Sequence, residues 1–266
     1  MGVTLERSGL AEDLLDTMAV LFGRLRGGLA ISVTVVGALL AASTGIVGAT
    51  TVTMGLLSLP TMLRRNYSPE LACGTIAASG TLGQIIPPSI VLVVLADIMN
   101  LSVGDLFLGA VIPGFVLVAL YLVYIVIIGI IHPETAPPIP AEELAGISRK
   151  ELARRIMRSL VPPLALIMAV LGTIFAGIAS PTEAAAVGAS AALLLVLWNG
   201  KFSMEMLRGV MRTTVRLTSM VFIILVGAQA FGLTFRGLGG DDLIRNYITQ
   251  LQFGPWGVLT IVMIVI

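Results

Sequence analysis

Residues 28–62 read GLAISVTVVGALLAASTGIVGATTVTMGLLSLPTM, and residues 42–45, ASTG, interrupt this apolar run at its midpoint. A helix that crosses a hydrocarbon core of about 30 Å needs about 20 residues, so the run is too long for one span and too short for two. As a helix, its first half would extend only about 22 Å. The run therefore predicts two half-length helices that meet at a small, hydroxyl-bearing tip.

Basic residues flank the run on both sides, with Arg24 and Arg26 before it and Arg64 and Arg65 after it. Cytoplasmic segments of membrane proteins carry the excess of Lys and Arg, so both ends are expected on the cytoplasmic side and the hairpin is expected to be re-entrant. Non-helical backbone at membrane depth is tolerated only where it is buried in protein or lines a wet cavity. The tip is thus a candidate site, and the structural alternative is tight helix packing through small residues, with the segment 45–48, GIVG, as a close-approach patch.

A second interruption follows in the next apolar segment. Residues 70–99 would overshoot the membrane as one helix, but GTLG at residues 80–83 and Pro-Pro-Ser at residues 87–89 interrupt them near half depth. Proline removes a backbone donor and clashes with the preceding turn, so two adjacent prolines break a helix. We expect a discontinuous transmembrane helix here.

The two inner ends of a broken helix carry opposite partial charges. The carbonyl groups of Ser79, Gly80 and Thr81 would form the negative end of the first half, and the N–H groups after Ser89 would form the positive end of the second half. A hydroxyl-bearing hairpin tip that faces this break would add oxygen ligands suited to sodium. Broken helices near the bilayer midplane are the general pattern of secondary transporters.

The composition indicates an all-α, polytopic membrane protein. Hydrophobic residues make up 57% of the chain and charged residues 12%, with a mean hydropathy of +1.02. About a quarter of the residues of a soluble domain are charged. A net charge of +1 with scattered basic residues gives no indication of nucleic-acid binding. The single Cys73 and the single His132 exclude a disulfide framework and a zinc site.

We expect four regions along the chain. Residues 8–25 have the pattern of an amphipathic helix with Ser8 as its cap. This helix is expected to be either an arm at the membrane interface or a plain surface helix. Residues 201–216 are expected to be a basic loop and residues 237–253 an outer loop. The expected regions are an arm (1–27), a first half (28–132, with hairpin 28–63, broken helix 70–99 and helix 106–131), a cytoplasmic connector (133–158) and a second half (159–266).

Several motifs closely resemble the large membrane subunit of TRAP transporters, the DctM-like family. They are ASTG at residues 42–45, MGLLSLPTM at 54–62, RRNY at 64–67, GTIAASGTLGQIIPPSI at 74–90, LGAVIPG at 108–114 and SPTEA at 180–184. The resemblance covers essentially the whole chain. It implies a sodium-driven, elevator-type importer of organic acids with an inverted-repeat fold, in which the two halves of the chain are transport repeats, and it implies no enzymatic activity.

The resemblance also implies partners, a location and site residues. The partners would be a small membrane subunit and a periplasmic substrate-binding protein, and the location would be the cytoplasmic (inner) membrane of a bacterium or archaeon. Sodium, as a co-transported ion, is expected at Ser43, Thr44, Gly45, Gly80, Thr81 and Gly83. The organic-acid substrate, a dicarboxylate, keto acid or similar carboxylate, is expected at Ser43, Thr44, Pro87, Pro88 and Ser89.

The chain departs from the family pattern in two respects. The tip reads Ser43-Thr44-Gly45 where many members have a Ser-Gly-Ser type of sequence, which keeps the hydroxyl chemistry but leaves the individual ligands open. A second hairpin is expected to start near Pro255, yet the sequence stops at Ile266. The chain therefore looks like a fragment: an intact mass of the native protein well above 27.8 kDa would show this, and a mass of 27.8 kDa would instead indicate a split permease or a non-transporting subunit.

Two other functions remain open on the sequence. An intramembrane serine protease would use Ser43 or Ser79 with His132 as the base, although His132 falls at the end of a span. A membrane subunit that transports nothing is the other alternative. For Glu183, a structural role in the first turn of a helix that is capped by Thr182 or Ser180 is favoured over a role in proton coupling.

Overall fold

The computed structural model describes residues 1–7, 9–45, 47–140, 148–250 and 254–265. These residues form α-helices with short 3-10 turns, and no strand occurs among them. The helices are α1 (Gly2–Arg7), α2 (Leu10–Phe22), α3 (Gly28–Thr44), α4 (Val47–Arg64), α5 (Pro69–Thr81), α6 (Ile90–Met99), α7 (Val103–Ile131), α8 (Arg149–Ser159), α9 (Val161–Phe175), α10 (Pro181–Trp198), α11 (Met204–Gly237), α12 (Gly240–Gln250) and α13 (Pro255–Val265).

Four helical stretches in the described residues are long and apolar enough to cross a membrane: Val103–Ile131, Lys150–Phe175, Pro181–Trp198 and Met204–Gly237. Many of their large apolar side chains are exposed, as on α7, where Ile112 is 73% exposed and Phe115 67% exposed. An apolar surface of this extent is stable only against lipid or another protein. The fold is therefore that of an all-α, polytopic membrane protein.

Helix α3 lies at the centre of the first compact unit, Met1–Val210. It is apolar on all sides, which is the pattern of a buried helix, and α2, α4, α5 and α7 pack around it. The main cluster of buried side chains includes Leu14, Leu29, Val33, Val36, Met54, Met62 and Ile76. Buried serine and threonine side chains on α3 satisfy their hydroxyl groups on carbonyls of the same helix, as Ser32 does on Gly28.

Helices α3 and α4 form a hairpin whose open end is closed by Tyr67. Its phenolic oxygen accepts the Leu29 N–H at 3.3 Å, so the turn after α4 is tied to the first turn of α3. Tyr67 is only 3% exposed, and this burial raises the pKa of its phenol. Helix α5 then starts with Ser68 as its cap, since the Ser68 hydroxyl accepts the Leu71 N–H at 3.2 Å.

The helix predicted at residues 70–99 is broken. Helix α5 ends at Thr81, a 3-10 turn covers Leu82–Gln84, and α6 begins at Ile90 after a cis Pro87-Pro88 peptide bond. Helix α7 begins at Val103, so the outer loop is shorter than the predicted residues 100–105, because Ser102 caps the helix early. A side chain on Gly114 of α7 would lie 3.2 Å from Ile86, so this glycine lets α7 approach the break.

The predicted arm is a helix with one buried face, packed against α3 and α8. Gly9, with φ of 74°, occupies the cap position of α2, and the expected cap Ser8 lies outside the described residues. The proline-rich start of the connector also packs on this region. The Gly27 N–H donates to Ala136 O at 3.0 Å, and the Ile139 N–H donates to Gly23 O at 2.7 Å.

Two predicted loops are helical. Helix α11 starts at Met204, so Arg208, Arg212 and Arg216 lie on a helix and not in a loop. The segment from Met204 to Arg216 contains no proline, and the Ser203 hydroxyl caps the helix by accepting the Met206 N–H at 3.0 Å. Helix α12 occupies part of the expected outer loop, with Asp241 and Asp242 in its first turn, where carboxylates favour a helix. The second compact unit, Met211–Ile266, contains most of α11 together with α12 and α13.

Gly37 is expected to be required for the packing of α3 on α5. An added Cβ at Gly37 would lie 2.6 Å from Ser79 Cβ, whereas an added Cβ at Gly74 would meet nothing within 4 Å. Gly37→Ala should cost about 1–3 kcal/mol by overpacking. Gly74→Ala should be neutral or stabilise the protein by up to about 1 kcal/mol. Thermal unfolding of the two variants in the same detergent measures the difference, and equal midpoints would contradict this packing.

Candidate functional site

Four helix ends meet where the hairpin tip touches the helix break. The tip consists of the C-terminal end of α3 and the N-terminal end of α4, and the break consists of the C-terminal end of α5 and the N-terminal end of α6. Gly45 makes the contact. A Cβ at Gly45 would lie 3.2 Å from the Ile90 nitrogen and 3.3 Å from the Pro88 oxygen. The φ of 65° at Gly45 is also a conformation that favours glycine.

Glycines bring the backbones together at two further places. An added Cβ on Gly83, in the 3-10 turn, would lie 3.1 Å from the Ala41 carbonyl oxygen of α3. One on Gly80, near the end of α5, would lie within 2 Å of the Thr51 hydroxyl of α4. A side chain at Gly80 would clash, and one at Gly83 would be tighter than ordinary van der Waals contact, so the broken helix packs closely on both arms of the hairpin.

The hydroxyl groups of the tip donate to carbonyl groups of their own helix. Ser43 Oγ donates to Leu40 O at 2.7 Å, and Thr44 Oγ1 lies 3.4 Å from Ala41 O and 2.7 Å from Thr50 Oγ1. A hydroxyl that donates one hydrogen bond retains lone pairs that can accept. The tip therefore presents oxygen atoms at the negative end of α3, which is an arrangement that suits a cation.

Ser89 holds the other side of the break. Its hydroxyl donates to Gln84 O at 2.7 Å and accepts the Leu92 N–H at 3.4 Å, and the residue is 1% exposed. Ser89 thus links the 3-10 turn to the start of α6 and caps that helix. Ser89 occupies the Leu92 N–H, and the first turn of α6 as a whole forms a positive helix end next to Gly45, which suits an anion.

The predicted site residues occupy these elements as follows. Ser43, Thr44 and Gly45 form the tip, and Gly45 contacts the segment that contains Pro88. Gly80 and Gly83 are buried against the hairpin. Thr81 is exposed, and its hydroxyl donates to Ala78 O at 2.8 Å. Pro87, Pro88 and Ser89 lie in the break itself.

Thr51 is a residue of this site that the sequence analysis missed. Its hydroxyl is buried beside Gly80 and has no hydrogen-bond partner among the described residues. A buried polar atom without a partner costs about 1–3 kcal/mol, and this makes the Thr51 hydroxyl a candidate ligand for the site. A signal was present in the sequence, since the hydroxyl-bearing pair Thr50-Thr51 follows the tip closely.

Helices from the second half of the chain enclose the tip. Ala42 of α3 and Phe107 of α7 belong to one buried apolar cluster with residues of α9 and α10. The remaining buried members are Ile167, Val170, Leu171, Ile174 and Ala184. Gly2 of α1 also packs on the tip, since an added Cβ there would lie 2.3 Å from Thr44 Cα. The tip and the break are therefore surrounded mainly by apolar side chains.

The arrangement does not support serine protease chemistry. Ser43 Oγ and Ser79 Oγ each donate to a carbonyl of their own helix, at Leu40 and Ile76. His132 lies at the end of α7, with Nδ1 3.4 Å from Glu134 Oε1. A nucleophilic serine needs a base within hydrogen-bond reach, and neither serine has one in the described part of the chain.

Glu183 caps a helix, as the sequence analysis favoured. Ser180 Oγ accepts the Glu183 N–H at 3.4 Å, and the Glu183 carboxylate accepts the Ser180 N–H at 2.8 Å. This reciprocal pair is a capping box at the start of α10. The carboxylate is therefore engaged in holding the helix end.

Comparison with known proteins gives a consistent family. The model of the "Tripartite ATP-independent periplasmic transporter, DctM component" family matches residues 1–266. The C4-dicarboxylate TRAP transporter large permease protein DctM of Pseudomonas aeruginosa is 33% identical over 268 residues, covering 100% of this chain and 60% of the relative.

Two other relatives carry different substrates in their names. The ectoine TRAP transporter large permease protein TeaC of Halomonas elongata is 29% identical, over 95% of this chain and 58% of the relative. The sialic acid TRAP transporter large permease protein SiaM of Vibrio cholerae is 26% identical, over 98% of this chain and 60% of the relative. The chain thus spans 58–60% of the length of these three relatives.

The capping box predicts different outcomes for its two members. Ser180→Ala should lower the free energy of unfolding by about 1 kcal/mol because the helix loses its cap. Glu183→Gln should be nearly neutral, since glutamine also fits a capping box. Unfolding midpoints in detergent compare the two variants. A Glu183→Gln variant that is fully stable but inactive in transport would instead indicate proton coupling.

Proposed function

We infer the function of this chain from its family and from the contact between tip and break: the chain belongs to the DctM component family of tripartite ATP-independent periplasmic transporters. We propose that it forms part of a large permease subunit that imports organic acids with sodium. The contact of Gly45 with the start of α6 carries this proposal. It brings two negative and two positive helix ends to one place, as the transport of a cation with an anion requires.

Sodium is proposed to bind on the side where α3 and α5 end. Hard cations prefer oxygen ligands, and this side offers carbonyl and hydroxyl oxygens. The proposed ligands are those expected from the sequence, with Thr51 added because its buried hydroxyl lacks a partner in the described residues. Thr81 is proposed to contribute through its backbone, since its side chain is exposed.

The substrate carboxylate is proposed to bind at the N-terminal end of α6. Pro87, Pro88 and Ser89 directly precede this end, and the Ile90 nitrogen lies beside Gly45 of the tip. The substrates named for the relatives, C4-dicarboxylates, ectoine and sialic acid, all carry a carboxylate group. This shared group supports recognition by a helix N-terminus, while other parts of the cleft would select among substrates.

The sodium gradient and the membrane potential would drive uptake. A tenfold sodium gradient supplies about 1.4 kcal/mol per ion. The potential adds about 2.3 kcal/mol per charge per 100 mV. We propose, from the family name, that a periplasmic binding protein delivers the substrate and that a small membrane subunit accompanies the permease. The bacterial inner membrane is the proposed location.

The double variant Ser43→Ala/Thr44→Ala tests the sodium site. Loss of two oxygen ligands should raise the sodium concentration for half-maximal uptake about tenfold or more, equivalent to at least about 1.4 kcal/mol. Uptake by the complete transporter in proteoliposomes, at varied sodium, measures this. Thr173→Ala/Ser190→Ala is the matched control, since both of its hydroxyl groups also donate to carbonyls of their own helix. Unchanged sodium dependence in the tip variant would refute the site, and absence of uptake by the intact transporter would favour a non-transporting subunit.

Thr51→Val separates a ligand from a packing residue. Valine has nearly the same shape, so removing a buried, unpaired hydroxyl should leave stability unchanged or increase it. If Thr51 binds sodium, the same variant should need about tenfold more sodium for uptake. Unfolding midpoint and sodium titration are measured on one preparation. A variant that is more stable and titrates normally would show that Thr51 only packs against Gly80.

A further inference from the structure

Helix α8 carries a stripe of basic side chains that the transport site does not use. Lys150, Arg154 and Arg158 are spaced by four residues, so they lie along one face of the helix. All three side chains are exposed, and none of them forms an ion pair within the described residues. We call these three residues the basic stripe.

The neighbouring stripe of the same helix is occupied. Arg155 pairs with Glu151 at 2.7 Å, and Ser159 Oγ lies 3.1 Å from Thr17 Oγ1 of α2. Ser159 at the end of this second stripe is buried against the arm helix, whereas the Glu151–Arg155 pair is about half exposed. The basic stripe lies beside it, and its charges are uncompensated in the described structure.

The basic stripe continues into an exposed apolar surface. Lys150–Phe175 is one of the candidate spans, and successive residues of a helix turn by about 100°. With this rotation, the helix face that carries the basic stripe on α8 carries exposed apolar residues on α9. Leu166, Val170 and Ile174 lie on the opposite face and are buried. The exposed apolar residues of this side are Met157, Val161, Leu164 and Met168.

An outward apolar surface marks where a helix contacts lipid tails, and basic residues at its end then lie at the level of the headgroups. The side chains of the basic stripe, with Ser148, Glu151 and Arg155, also line an open hollow of about 490 Å³. We propose that this hollow binds the phosphate of an anionic phospholipid, whose acyl chains lie against the apolar side of α9. The basic stripe forms no ion pair among the described residues, and the carboxylate of Glu151 is already paired with Arg155. The hollow therefore carries a net positive charge that complements a phosphate group.

Two alternatives to a specifically bound phospholipid must be distinguished. The relatives are longer than this chain, so another segment of the full protein is one competitor. General attraction of any basic residue to anionic lipid is the second. The experiment must therefore compare headgroups at constant acyl chains and compare the basic stripe with other arginines of equal charge. This proposal is independent of sodium binding at the tip.

Native mass spectrometry of the full-length protein tests the site. The protein is released from micelles that contain either phosphatidylglycerol or phosphatidylethanolamine with identical acyl chains, and the lipids that remain bound are counted. We expect phosphatidylglycerol to be retained preferentially. Arg154→Gln/Arg158→Gln should lower this retention about fivefold for each arginine, equivalent to about 1 kcal/mol each. Arg24→Gln/Arg26→Gln removes the same charge in the turn before α3 and should retain the lipid.

Three results with the parent protein and the two glutamine variants would overturn the proposal. They are equal retention of the two lipids, an equal loss in both double variants, and unchanged retention in Arg154→Gln/Arg158→Gln. The variant Arg154→Lys/Arg158→Lys guards against a folding defect, because it keeps the charge and should keep most of the bound lipid. If the lysine variant also loses the lipid while its circular dichroism matches the parent protein, charge at the basic stripe is not the determinant and the proposal fails.

Discussion

The unpaired backbone groups at the ends of helices α3 to α6 are the constraint on which the rest of this structure depends. Each helix end leaves several N–H or C=O groups without an intrahelical partner, and lipid supplies none. Ser43, Thr44 and Ser89 occupy part of this bonding capacity through their hydroxyl groups. The capacity that remains is concentrated between the tip and the break, and this makes the region suited to charged solutes.

The surrounding helices serve this arrangement by keeping it apolar on the outside. Phe107 and residues of α9 and α10 pack around Ala42, directly before the tip. Such walls lower the local dielectric constant and strengthen the interaction of helix ends with ions. Residues from both sides of the connector thus contribute to the apolar cluster next to the tip. The arm helix adds a further link, because Asp13 pairs with Lys201 at 2.5 Å.

The sequence predicted the features whose causes are local. The length of the run at residues 28–62, the two prolines at 87–88 and the Ser-Pro-Thr-Glu segment at 180 each act within a few residues, so the hairpin, the break and the helix cap could all be foreseen. Contacts between residues that are distant in the sequence could not be foreseen. Examples are the contact of Gly45 with Pro88 and the burial of the Thr51 hydroxyl without a hydrogen-bond partner among the described residues. The error at residues 201–216 arose because basic residues mark a membrane boundary without marking a helix boundary.

The glycine contacts between the hairpin and the broken helix have a consequence for ion selectivity. At Gly83 and Gly45 backbone meets backbone, with no rotatable side chain as a spacer. The distance between the two oxygen-bearing surfaces is therefore fixed by the helices themselves, and rotamer changes do not alter it. A cage distinguishes sodium from the larger potassium ion by size only if its walls resist expansion. In the sodium site proposed above, close backbone packing at these glycines would supply that resistance, so a substitution that pushes the walls apart should favour the larger ion before it abolishes binding.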